Sequence, residues 1–339
     1  MKYFKQPSFL IGLTILVLLL SGSFAYSLLK EESTPSNILY DEKGKMIDRA
    51  PFERSADYPL GSDQFGNNYV YVLLEGAKYT LGFVVLITIS RMILSILVSF
   101  ILLVVPSFIK KLINRISEIF YFAPLSIFAY LLIAPALIAF SWSYSDFTQF
   151  MITTCVLVVL TVPVLSVQIA NEISILSREE FIQHAPLLGG GRIHVFMKHI
   201  LPCLSPKLLL LTVQQAGQTL AILAHLAFLK IFVGGFSKIT YTLPGVSGTP
   251  VTYERTFSDS HEWGGLIVQN WDFYYGAPIL VIAPVCCFVL CSIAINLMVS
   301  GMTKSENHSS TMQKKKITTS EETLPSASFL PVKKGRLNA

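Results

Sequence analysis

Long apolar runs alternate with short polar ones along this chain. A bilayer core takes about 20 apolar residues per helical span. Runs of that length lie at 8–29, 79–105, 116–140, 147–173, 208–234 and 277–301. The pattern predicts an all-α, polytopic membrane protein with about six transmembrane helices. The polar remainder divides the chain into a short N-terminal end with the first span (1–29), an outer segment (30–78), a membrane core (79–301) containing a long connection at 174–207, and a tail (302–339). The tail has no apolar periodicity and too little apolar surface to offset chain entropy, so it is expected to be disordered.

Lysine and arginine placement orients the spans, because cytoplasmic connections carry the excess. With the N-terminus inside, the cytoplasmic segments hold Lys2, Lys5, Lys110, Lys111, Arg115, Arg178, Arg192, Lys198, Lys207, Lys304, Lys314-Lys315-Lys316, Lys333, Lys334 and Arg336. The outer segments hold fewer: Lys30, Lys43, Lys45, Arg49, Arg54, Lys78, Lys238 and Arg255. Both termini and 174–207 are therefore expected in the cytoplasm, and 30–78 and 236–275 outside. Lys314-Lys315-Lys316 reads as a solvated run that reinforces this topology, with anionic lipid as an alternative contact.

Composition agrees. Hydrophobic residues make up 52% of the 339 positions and charged residues 14%, against about a quarter charged in a soluble domain. The net charge of +5 follows from topology, and no nucleic-acid partner is expected. Cys155, Cys203, Cys286, Cys287 and Cys291 show no metal-ligand spacing and read as small packing residues without a disulfide. Ser23-Phe24-Ala25 resembles a signal-peptide cleavage site, but the apolar run before it is long for a signal peptide, so the first span reads as an uncleaved helix.

The connection 174–207 carries the most informative pattern. It begins with Glu179-Glu180-Phe181-Ile182-Gln183-His184-Ala185-Pro186-Leu187-Leu188 and breaks at Gly189-Gly190-Gly191. It resumes with Arg192-Ile193-His194-Val195-Phe196-Met197-Lys198-His199-Ile200-Leu201 and reaches Pro202. Glycine permits a sharp turn and proline ends a helix. The expected shape is helix, turn, helix, lying against the membrane and offering apolar side chains to a groove on a partner.

This stretch resembles the coupling-loop motif of the permease subunits of bacterial ABC importers, which reads E-A-A, three residues, G, nine residues, I-x-L-P. Gly189 and Pro202 have the family spacing, and His199-Ile200-Leu201-Pro202 matches the H-I-L-P of the peptide and nickel importer family. Gln183 and His184 stand where the family has Glu and its first Ala, Ala185 matches, and Pro186 is unusual. A second likeness is Tyr58-Pro59-Leu60-Gly61-Ser62-Asp63-Gln64-Phe65-Gly66 to H-P-L-G-T-D-Q-L-G, followed in register by Gly76-Ala77-Lys78-Tyr79-Thr80-Leu81. Asn67 and Asn68 replace the family's Arg and Asp. Glu262-Trp263-Gly264-Gly265-Leu266-Ile267 is similar to S-W-G-x-x-I, whereas 224–235 lacks the family's S-F-L-G-L-G.

The resemblance spans most of 58–303 and implies the second of two permeases, with the type I importer fold, in the plasma membrane of a bacterium. It implies a homologous permease, two cytoplasmic ABC ATPases, an extracytoplasmic solute-binding protein and membrane lipid as partners. It also implies import of short peptides, nickel or related solutes by alternating access. ATP and Mg would sit on the ATPases; this chain would hold no cofactor and catalyse nothing itself. Gln183, His184, Ala185, Leu187, Leu188, Gly189, Arg192, His199 and Pro202 would dock on the ATPase, with Gly61, Asp63 and Gly66 forming the outer motif. The altered Gln183-His184 and Pro186 feed a rival reading, a coupling-impaired structural or regulatory member of such a complex.

Other candidates weigh less. His184, His194 and His199 do not share a helix face at metal-ligand spacing, so no metal site is expected. The glycine run lacks the Gly-x-x-x-x-Gly-Lys-Ser/Thr of a phosphate loop. Arg91 falls mid-span, where an ionisable group faces a bundle interior or cavity. It reads equally as a pathway or subunit-contact residue or as one half of a structural pair with a polar neighbour, Glu172 being one candidate. His225 and Lys230 lie near the outer end of the fifth span, where Lys230 can snorkel. Asp63 reads as a turn cap. The orientation is tested in a background without native cysteines: an impermeant thiol reagent on intact cells should label Ser62→Cys and spare Ser310→Cys. The reverse pattern overturns it.

Overall fold

The structure, a computed structural model, describes residues 2–29, 37–40, 46–122, 124–140, 145–185, 191–244 and 250–322. Among these, five helices are long and apolar enough to cross a bilayer, and a sixth crossing results if Ser107–Phe120 and Leu125–Leu137, bent by 93°, count as one span. The chain is a helical, polytopic membrane protein. Its principal helices are α1 (Pro7–Leu29), α2 (Tyr69–Val104), α3 (Ser107–Phe122), α4 (Leu125–Phe140) and α5 (Asp146–Leu176). Two short helices follow, α6 (Glu180–His184) and α7 (Arg192–Val195), then α8 (Leu201–Phe228), α9 (Trp263–Gln269) and α10 (Ile279–Glu322). Among the described residues the strands form two antiparallel hairpins, β1 (Ile38–Tyr40) with β2 (Met46–Arg49) and β3 (Phe236–Pro244) with β4 (Pro250–Ser258). Apolar run length carried no signal for either.

Several boundaries differ from the expectation, each for a local reason. The second span starts at Tyr69, so 69–78 is helix and not outer loop. Asn68 caps it, its side chain accepting from Val70 N at 3.1 Å, and Tyr69, Val72, Leu73, Gly76 and Ala77 are buried. At 36 residues α2 is about 54 Å long, well beyond the hydrocarbon thickness.

The third run, 116–140, is two helices. Pro124 lacks an N–H and restricts the residue before it, and the first part belongs to α3. Pro202 does not end the helix that precedes it. A π-helical segment, Phe196–Ile200, joins α7 to α8, and Leu201 N–H bonds five residues back to Phe196 O. Pro202 then falls in the first turn of α8, where a missing N–H costs least.

The fifth span stops at Phe228, short of 234. Lys230 adopts φ 59°, its N–H reaches Ala227 O at 2.8 Å, and Ile231 N–H reaches Leu226 O at 3.0 Å, which is a Schellman cap. The tail is helical as far as Glu322 and 323–339 lie outside the described residues. An existing helix extends without a new nucleation cost, so polar composition alone does not end it.

Close backbone contacts set the packing. A Cβ on Gly12 of α1 would lie 2.3 Å from Ala294 O of α10, and one on Gly301 would lie 2.8 Å from Phe9 N. Ser23, buried, donates to Leu74 O of α2 at 2.5 Å. At the end of the bundle that carries the β3–β4 hairpin, α9 is wedged between α2, α8, α10 and β4. Trp263, 1% exposed, donates from its backbone N to Thr80 Oγ1 (3.1 Å) and from Nε1 to Leu73 O (2.9 Å). Its ring meets Phe288 edge-on. A Cβ on Gly76 would lie 2.2 Å from His261 O, one on Gly264 2.6 Å from Ala227 Cβ, and one on Gly265 2.3 Å from Ser258 Cβ.

Just before Trp263, the buried Glu262 accepts from Val233 N at 2.9 Å. Burial pushes its carboxyl up to about 7, against the opposing bonds from Val233 and Gly234 N–H. The folded state therefore holds the proton more tightly than the unfolded chain. Stability from this group is complete below the ordinary carboxyl range and is lost as pH rises towards and through about 7.

Glu262→Gln keeps the acceptor and removes the titration. Thermal unfolding of the wild type should weaken from pH 5 to 8, by at most about 1.4 kcal/mol for each step of one in pH, while the variant stays flat over that window. The same slope in both would clear Glu262. Trp263→Ala should cost about 3–5 kcal/mol, read in the same assay.

Candidate functional site

The motif Gly61, Asp63, Gly66 is a tight turn that launches α2. Gly61 and Gly66 adopt φ +80° and +87°, and a Cβ on Gly61 would press on Phe52 O at 2.7 Å. Asp63 is buried. Its Oδ1 accepts from Phe65 N (2.9 Å) and Asn67 N (2.8 Å), and its Oδ2 accepts from Asn67 Nδ2 (2.9 Å). Burial raises its pKa, opposed by these bonds. Asp63 is a turn cap, and Asn67 serves here as its partner. Arg255 of β4 donates to Gln64 Oε1 at 3.4 Å and to Gln269 O at 3.0 Å, so the same turn holds the base of the hairpin.

Arg91 is fully buried on α2. The suggested partner Glu172 does not meet it; Glu172 pairs with Lys207 at 3.3 Å, linking α5 and α8. Arg91 Nε instead donates to Leu157 O of α5 (3.0 Å), and Nη1 donates to Thr219 Oγ1 of α8 (2.8 Å). Thr219 donates in turn to Gln215 O (2.8 Å), and Thr161 donates to the same Leu157 O (3.1 Å). One guanidinium thus ties three helices together, with Nη2 left without a hydrogen-bond partner among the described residues.

Behind this clamp, α5 and α8 line a cavity of about 560 Å³. From α8 come Gln215, Gln218, Ala221, Ile222 and His225; from α5 come Thr161, Val164, Leu165 and Gln168; Phe120, Pro124, Leu125 and Ser126 close one side. Gln215, Gln218, Ile222 and His225 recur at three- or four-residue steps, so they share a face, and from Gln215 to His225 that face runs about 15 Å along the axis. Gln215 Nε2 donates to Gln218 Oε1 at 3.0 Å, and Gln215 Oε1 is buried without a partner among the described residues. The lining offers amides, hydroxyls and an imidazole, and among the described residues no Asp, Glu, Lys or Arg. Sequence reading passed over the glutamines. Their signal was present as polar residues at helical spacing inside an apolar run.

The connection between α5 and α8 packs at the other end of the bundle. Ile182, Val195 and Ile200 are buried in a second apolar cluster with Met92, Leu165, Ile169, Ile173, Leu204 and Leu211, and Phe196 meets Phe100 of α2 edge-on at 4.9 Å. Phe181 and Met197 are exposed (54% and 57%). Gln183 and His184 fold back on their own segment, Gln183 donating to Arg178 O at 3.1 Å and the His184 ring lying 2.6 Å from Glu180 O. Ala185 follows α6 half-buried, Arg192 opens α7, His199 lies in the π segment and Pro202 in α8. Pro186, Leu187, Leu188 and Gly189 lie outside the described residues. Scans against known protein-family models and against curated proteins find no match to this chain.

Arg91→Met separates the packing contribution of this side chain from that of its hydrogen bonds. Leu157 O and Thr219 keep other partners, so replacing the buried charge by a side chain of similar length should leave thermal stability unchanged or raised by about 1–4 kcal/mol. Arg91→Ala, which opens a void, should lower it by at least about 2 kcal/mol. Destabilisation of the Met variant to the level of the Ala variant would show that the bonds themselves hold the helices.

Proposed function

We propose that this chain is the transmembrane permease subunit of an ABC-type importer, moving a small polar solute by alternating access while separate ATPase subunits hydrolyse ATP. The observation that carries the reading is connectivity. The segment that resembles a coupling loop joins α5 to α8, and these same two helices line the polar cavity. Ile182, Val195 and Ile200 seat that segment on the ends of α2, α5 and α8, so a push on it moves the cavity walls. Phe181 and Met197 face outward as anchors for a groove on the ATPase.

In this reading the α6 end of the bundle is cytoplasmic, and the hairpin end meets an extracytoplasmic solute-binding protein. A homologous permease completes the translocation path. The lining favours a short peptide over nickel: amides and hydroxyls match peptide N–H and C=O groups, whereas a bare divalent cation calls for carboxylate, thiolate or clustered imidazole ligands.

Cysteines at Phe181 or Met197 should cross-link to the ATPase with a yield that changes with nucleotide. Phe181→Ala and Met197→Ala should each cut peptide uptake by about tenfold, the effect of an anchor contributing about 1.4 kcal/mol, at unchanged membrane levels. Normal uptake together with no cross-link in any nucleotide state would remove the coupling assignment. Cross-linking without any solute-dependent ATPase activity would favour a regulatory member of the complex.

A further inference from the structure

Helix α3 has two opposed faces and only one of its flanks is covered. At 3.6 residues per turn, Phe108, Ile109, Leu112, Ile116 and Ile119 fall on one side of Ser107–Phe122, and Lys111, Asn114 and Glu118 on the other, with Arg115 at the border beside Phe108. The helix packs against α5, and Ser117, on the flank between the faces, is 2% exposed. The apolar face is bare: Phe108 is 76% exposed, Leu112 50% and Ile119 56%. Lys110 donates to Leu103 O at 3.3 Å and so caps the end of α2. Lys111 and Arg115 are exposed and have no ion-pair partner among the described residues.

Geometry decides what covers this face. The chain enters α3 from α2 across Val105 and Pro106, and α4 follows at 93° after a break of two residues. Helix α2 is long and apolar enough to cross the bilayer, and the near-right-angle bend lets α3 lie along the membrane plane while α4 enters the bilayer. The helices on either side also expose apolar side chains, Leu97, Ile101 and Val104 on α2 and Ile127 and Leu131 on α4, the kind of surface that a membrane-embedded helix offers to lipid. We propose that α3 lies in the headgroup layer at the α6 end of the bundle and binds anionic phospholipid headgroups through Lys111 and Arg115, with Phe108, Leu112, Ile116 and Ile119 in the acyl region. An amphipathic helix with a basic polar face is the arrangement that seats in such an interface. Each basic side chain near an anionic surface contributes about a fivefold preference. Assigning the leaflet as cytoplasmic rests on the orientation proposed above; the binding itself does not.

The test uses the full chain, native cysteines replaced by alanine, in bilayers of phosphatidylcholine and phosphatidylglycerol. A spin label on Leu112→Cys should collide with oxygen and be shielded from a water-soluble nickel chelate, and one on Asn114→Cys should show the reverse. A fluorophore on Ile119→Cys should be quenched several-fold more strongly by brominated phosphatidylglycerol than by brominated phosphatidylcholine at equal content. Adding Lys111→Gln and Arg115→Gln should abolish that preference while position 112 stays open to oxygen. A label at 112 shielded from both reagents would place a protein partner on this face. Access of the chelate to 112 would place the face in water. Equal quenching by the two lipids, or a preference that survives the double substitution, would remove the headgroup assignment. None of these readings requires transport, so they stand apart from the functional proposal.

Discussion

The two hydrogen bonds from Trp263 to α2 are the constraint on which the hairpin end of the bundle depends. The indole reaches Leu73 O and the backbone N–H reaches Thr80 Oγ1, so one residue is fixed at two levels of the same helix. A backbone this close leaves no room for side chains, hence Gly76 under His261 O and Gly264 against Ala227. Once α9 is seated, Glu262 is carried into the interior, where it accepts Val233 N–H and holds the turn after α8. The ends of α2, α8 and α10 and the base of β4 are thus set by one seven-residue helix. The burial that makes this joint firm also disfavours the charged carboxylate, which links its stability to pH.

Arg91 plays the corresponding part inside the membrane. It bonds the backbone of α5 and a hydroxyl on α8, each one step from a residue that lines the cavity, Thr161 on one side and Gln215 on the other. Among the described residues the charge bonds to neutral dipoles and to no carboxylate. Such an arrangement orients three helices through hydrogen bonds without an ion pair.

At the opposite end the contacts change character. Beside the Glu172–Lys207 pair, apolar side chains carry the contact: Ile182, Val195 and Ile200 share a buried cluster with Met92, Ile169 and Ile173. The π turn at Phe196–Ile200 lets Pro202 enter α8 without breaking it, so the segment before it and the wall of the cavity are one helical rod.

Much of this was legible in the chain. Apolar run length determined the membrane class, the helical architecture and the approximate places of the spans, because hydrocarbon leaves a backbone few alternatives to helix. Local chemistry marked the Asp63 turn with its two glycines and marked Arg91 as an interior group. Three features were decided only by tertiary structure. Whether 116–140 is one span or two depends on Pro124 and on what α3 lies against; hydropathy averaged over a window merges them. The partners of Arg91 are a carbonyl and a hydroxyl 66 and 128 residues away, which no local spacing encodes. The wedge of α9 and the cavity glutamines need helices distant in sequence to meet. Periodicity says which face of a helix is apolar, and only packing says which neighbour that face receives.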